Sequence, residues 1–119
     1  LNNRAGGVIT ATSGDAIITN GGTITNAGTI NGSIYMTSGN FWSASVLDNT
    51  GGVINGNIVF GSADDTLMGT WDFTRNTLAG VSGRINGGSG LNRLLFNITA
   101  DANVDDLAGR VVLPVIHFR

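Results

Sequence analysis

Cysteine, lysine, glutamate and glutamine are missing altogether, and proline occurs once. Without cysteine no disulfide can staple the fold, so stability has to come from burial and backbone pairing. Lysine, glutamate and glutamine are good helix formers, and losing all three removes much of the material of helices. Charge is scarce as well. Only 12% of residues are charged, every acid is aspartate, every base is arginine, and the formal net charge is −2. An acidic chain with scattered arginines lacks the basic stripe that nucleic acid requires. No run of about 18 apolar residues occurs, so no segment reads as a membrane-spanning helix. Residues Leu1 to Gly7 have no apolar core after Arg4 and do not read as a signal peptide. We therefore expect the chain to be a segment of something longer.

Glycine, asparagine, threonine, isoleucine and valine fill the gap, with 19 glycines and a hydrophobic fraction of 41%. β-branched residues suit a pleated surface, and glycine and asparagine tolerate the left-handed turns between short strands. The strings Ala5-Gly6-Gly7-Val8-Ile9, Ile24-Thr25-Asn26-Ala27-Gly28-Thr29-Ile30-Asn31-Gly32-Ser33-Ile34 and Leu47-Asp48-Asn49-Thr50-Gly51-Gly52-Val53-Ile54-Asn55-Gly56-Asn57-Ile58 superimpose. A looser copy runs from Val81 to Gly88. Anchored on Ile9, Ile30, Ile54 and Ile85, the spacings are 21, 24 and 31 residues. Periods of roughly 20 to 50 residues indicate a solenoid, propeller or array, and coils this short exclude a propeller blade.

The expected fold is all-β, a parallel β-helix of about four to five coils forming one segment over residues 1–119. Residues 1–90 carry the repeats and 91–119 a less regular coil. One coil cannot bury its apolar face alone, so Ile9, Ile30, Ile34, Ile54, Ile58 and Ile85 are expected to stack as inward anchors. Asn3, Asn26 and Asn49 recur at a corner, where stacked side-chain amides can form a ladder. The long third spacing predicts an insertion or extra strand around Trp71, Asp72 and Phe73. Residues 100–110 read as one short helix or a polar loop, and Pro114 predicts that the final apolar run is an edge or irregular strand.

Candidate sites are few. Asp64 and Asp65 are the nearest thing to a catalytic pair, but glycoside hydrolysis needs two carboxyls about 5 to 9.5 Å apart on one substrate. Adjacent strand residues face opposite ways, so the chain is expected not to be an enzyme. The same two residues are the calcium candidates, because Gly61 to Leu67 is similar to one turn of a calcium-binding β-roll. Calcium takes six to eight oxygens; the motif occurs once, and a turn closed by aspartate accounts for it as well. Phe41, Trp42 and Trp71 are the binding-surface candidates, since interface hot spots favour tryptophan; the alternative is that they fill a wide coil. His117 is the single histidine and reads as structural, so with no cysteine a zinc site is not expected. No cofactor is called for.

The repeat copies, together with Asn57-Ile58-Val59-Phe60-Gly61-Ser62-Ala63-Asp64-Asp65-Thr66-Leu67, resemble the passenger domains of type V autotransporters of Gram-negative bacteria. There, "NxGTIxGxI" and "FGxxDDTL" phrases recur along a right-handed parallel β-helix. The resemblance implies a right-handed solenoid, secretion through a C-terminal barrel outside this chain, and display on the outer-membrane exterior. It further implies an adhesin or self-associating factor, whose partner is a protein or glycan surface on a host or neighbouring bacterium, or a second copy. Two alternatives remain open: a carbohydrate-active β-helix such as a lyase, hydrolase or tailspike-like depolymerase, and a passive stalk.

Overall fold

Short β-branched runs separated by glycine and asparagine fold into strands joined by tight corners. The structure, a computed structural model, describes residues 1–37, 44–72, 77–97, 111–112 and 115–118. Its strands are β1 (Asn2–Asn3), β2 (Val8–Thr19), β3 (Gly22–Asn26), β4 (Thr29–Met36), β5 (Ser45–Asp48), β6 (Val53–Asn55), β7 (Ile58–Phe60), β8 (Thr66–Asp72), β9 (Thr77–Leu78), β10 (Ile85–Asn86), β11 (Arg93–Asn97), β12 (Val111–Val112) and β13 (Val115–Phe118). Two parallel sheets result. One runs in the order β1, β3, β5, β8, β11, β13, and the other in the order β12, β10, β7, β4, β2 with β6 also on β4. The chain passes back and forth between the sheets, one turn laying both β6 and β7 on the second, and about four turns stack into a β-solenoid. The described residues contain no helix; the segment 100–110 lies outside them.

Register places like on like. In the first sheet Ile24, Leu47, Leu67 and Leu94 fall in one column, and all four are buried. In the second, Ile9, Ile30, Ile54 and Val81 form one column, and Ile17, Ile34, Ile58 and Ile85 another. Ile30, Ile34, Ile54, Ile58 and Ile85 are fully buried, while Ile9 packs half-buried against the core. Burying each such side chain contributes about 1.5–3 kcal/mol. Parallel ladders at the same time satisfy the backbone that a single coil would leave unpaired.

The anchor register differs from the expected one at the fourth copy. Ile85 pairs with Ile58, and Val81 takes the place beside Ile54. Both steps are therefore 27 residues, in place of the 31 obtained by matching Ile85 to Ile54. The cause is a two-anchor unit bent at a glycine: Ile30 and Ile34 flank Gly32, Ile54 and Ile58 flank Gly56, and Val81 and Ile85 flank Gly83. Gly32 turns this corner at φ +134°, where a side chain is strained. The extra residues of that coil go partly into a small arm, in which β8 continues to Asp72 and pairs antiparallel with β9, Trp71 opposite Leu78. After Pro114, β13 forms the edge of its sheet, pairing with β11.

Candidate functional site

Two polar columns run inside the solenoid, one at each end of the first sheet's strands. At one corner Asn3 Nδ2 donates to Asn26 Oδ1 at 2.8 Å, and Asn26 Nδ2 donates to Asn49 Oδ1 at 2.8 Å. Each amide also donates to a carbonyl of the next coil: Asn3 to Thr29, Asn26 to Val53 and Asn49 to Gly80, at 3.2 to 3.3 Å. All three side chains are buried, and the amide suits the place because it offers a donor and an acceptor together. Gly52 must be glycine here, because a Cβ would collide with the Asn26 carbonyl oxygen and approach Asn49 Oδ1.

At the opposite corner Ser45, Asp65 and Asn92 stand in line, all buried. The Asp65 N–H donates to Asn92 Oδ1 at 2.9 Å, and the Ser45 N–H donates to Asp65 Oδ1 at 2.7 Å. Asn92 Nδ2 closes its own turn by donating to the carbonyls of Gly87 and Ser89 at 2.7 and 3.2 Å. Asp65 Oδ2 is buried without a hydrogen-bond partner. Burial holds the Asp65 carboxyl above its usual range, although the Ser45 N–H favours the charged form and lowers it. This column was not anticipated, since its members are three different residue types. The available signal was the recurring polar-x-apolar triplet Ser45-Val46-Leu47, Asp65-Thr66-Leu67 and Asn92-Arg93-Leu94.

Asp64 and Asp65 diverge. Asp64 is exposed and its Oδ1 accepts the Leu91 N–H at 2.7 Å, whereas Asp65 points inward. Neither a shared sugar nor a shared calcium ion fits that arrangement, and among the described residues no three His, Cys, Asp or Glu side chains gather as a metal site. Trp71 is 3% exposed and belongs to the core cluster, so its ring fills the coil where the arm leaves it. Phe41 and Trp42 lie outside the described residues. His117 stands in β13 opposite Leu95.

The outer surface carries the repeat a second time. Val8, Thr29 and Val53 form one outward column, and Thr10, Asn31 and Asn55 the next. The second is an open ladder, with Asn31 Nδ2 donating to Thr10 Oγ1 at 3.2 Å and Asn55 Nδ2 donating to Asn31 Oδ1 at 2.8 Å. Around the glycine corner, Ile18, Tyr35 and Val59 share a column, of which Ile18 is 71% and Tyr35 36% exposed. A shallow groove of about 260 Å³ lies between Asp64, Thr66, Leu91 and Arg93. A second, of about 330 Å³, opens at the first coil beside Leu1, Ile17, Ile18 and Ile24.

No protein-family model, curated protein or solved structure matches the chain.

Proposed function

We propose that the chain is a non-catalytic β-helix segment of an autotransporter passenger. In this reading it is displayed outside a Gram-negative outer membrane and acts through its outer faces in self-association or adhesion. The observation that carries the reading is the outward column of Ile18, Tyr35 and Val59, one residue from each of three successive coils. An exposed apolar side chain on its own needs no explanation. An aliphatic, an aromatic and a second aliphatic side chain at one strand spacing, beside the open amide ladder of Thr10, Asn31 and Asn55, present a regular strip that a second regular surface can match. Contacts of this kind are weak singly and gain strength through repetition along a rod. A strip of three side chains is small beside the roughly 800 Å² per partner of a stable interface, so association of this segment is expected to be weak and concentration-dependent.

Cells displaying the chain on a neutral carrier test this reading. Faster settling than carrier-only cells, or retention on a host-cell layer, supports it, and the double substitution Ile18→Asp and Tyr35→Asp is expected to abolish the effect. Settling and retention equal to those of the carrier-only cells favour the passive stalk.

The second reading, a carbohydrate-active β-helix, draws on the groove between Asp64 and Arg93. An acid, a base, a hydroxyl and an exposed leucine suit the hydroxyls and C–H face of a sugar. New reducing ends or unsaturated sugars after incubation with polysaccharides would establish it, and silence across a panel removes it.

A further inference from the structure

The chain contains four Asn-Gly dipeptides: Asn20-Gly21, Asn31-Gly32, Asn55-Gly56 and Asn86-Gly87. This dipeptide is prone to intramolecular cyclisation, because glycine lacks the side chain that would hinder approach of its backbone nitrogen to the preceding amide. The Gly nitrogen gives up its proton and attacks Asn Cγ, the Cγ–NH2 bond breaks, and ammonia leaves with that proton. The product is a five-membered succinimide. Solvent water then opens either ring carbonyl, giving aspartate or isoaspartate, with no change of oxidation state. Ring closure requires the main chain to leave extended geometry and the side-chain amide to swing free.

The fold sorts these four identical dipeptides. Asn31, Asn55 and Asn86 lie in strands β4, β6 and β10, where their main chain is paired with neighbouring coils. Their side chains are held as well. Asn31 donates to Thr10 and accepts from Asn55, and Asn86 Oδ1 accepts the Gly88 N–H at 2.8 Å. Asn20 differs on both counts. It is exposed, it sits in the bend between β2 and β3, and no hydrogen bond to its side chain occurs among the described residues. Gly21 and Gly22 after it take φ of +83° and +91°.

We infer that Asn20-Gly21 is a site of spontaneous covalent modification, where succinimide formation converts Asn20 to aspartate and isoaspartate while the other three pairs are protected by the solenoid. The change adds a negative charge to a chain of formal charge −2. In the isoaspartate product the main chain also gains a methylene at the turn beside the groove of the first coil, which Gly21 and Gly22 help to line. Ageing of the protein is thereby directed to one rim of the rod, away from the amide ladders.

The test holds the folded protein in mildly alkaline buffer, with a parallel sample in concentrated urea. Acid at each Asn-Gly pair is followed by peptide mass spectrometry, and isoaspartate by enzymatic methyl transfer. In the folded protein Asn20 is expected to convert at least about tenfold faster than each of the other three, because those must first break a side-chain bond and a ladder bond. In urea the four rates should converge, which separates the fold's contribution from that of sequence. The Asn20→Gln variant should lose the fast phase and leave the remaining rates unchanged. Equal rates in the folded protein, or faster conversion at Asn31, Asn55 or Asn86, would overturn the assignment.

Discussion

The two internal polar corners face the same problem with different chemistry. At one, Asn3, Asn26 and Asn49 pass a donor from coil to coil, and each amide is tied both to its neighbour and to a carbonyl. At the other, Asp65 and Asn92 accept the backbone N–H groups of Ser45 and Asp65, the Ser45 hydroxyl donates to the Met36 carbonyl, and the central member is a carboxyl with one buried oxygen left unpartnered. An ionised carboxylate can only accept, so it fills half of the role an amide fills. Its cost appears as a carboxyl driven upward by burial. Stacking therefore demands polar side chains at both corners, and only a residue with both donor and acceptor answers the demand fully.

The sharpest way to break the contrast is Asn26→Ala. It removes the acceptor of Asn3 and the donor to Asn49 in one step, and leaving two buried polar groups short should cost about 2–4 kcal/mol, read from the urea midpoint at unchanged slope. The opposite corner should respond in the other direction. Asp65→Asn removes the charge that burial disfavours while keeping an oxygen for the Ser45 N–H, and is expected to stabilise the protein at neutral pH by about 1 kcal/mol.

The pH dependence separates the two corners further. Because the folded state raises the Asp65 carboxyl above its ordinary value of 3.8, the folded protein holds this proton more tightly than the unfolded chain. The Asp65 contribution to stability is therefore largest in acid. It declines as pH rises through the interval between the unfolded and folded values, and stays at its lower level above that interval. Comparing urea midpoints of the parent and Asp65→Asn across acidic pH should show the variant's advantage growing over that interval; an advantage independent of pH would contradict it. The smallest effect belongs to the open ladder outside. Asn55→Ala should change stability by no more than about 0.5 kcal/mol, since water replaces its partners at an exposed position. A large loss there would mean that the outer ladder helps to hold the coils together.

Which parts of this were legible beforehand follows the same logic. Asn3, Asn26 and Asn49 recur as one residue type at even spacing, so a ladder could be read directly from them. Ile30, Ile34, Ile54 and Ile58 stand out for the same reason. The fourth coil resisted because Val81 replaces isoleucine as the first anchor, and Ile85, the more conspicuous residue, occupies the second. Ser45, Asp65 and Asn92 share a position and no chemical identity, so Asp65 was grouped with its neighbour Asp64 in sequence, when its true companions lie one coil away. Trp71 carries the same lesson. An aromatic in a sparse chain reads either as an anchor for a partner or as the filling of a wide coil, and the burial of Trp71 in the core cluster decides for the second.

Sedimentation velocity over a wide concentration series, at low and high salt, tests the central functional claim most directly. The account predicts a reversible rise of the sedimentation coefficient with concentration in the parent chain, little affected by salt because Ile18, Tyr35 and Val59 are uncharged. The Ile18→Asp and Tyr35→Asp double variant should sediment as a monomer throughout. A parent chain that stays monomeric at every concentration would contradict self-association through this strip.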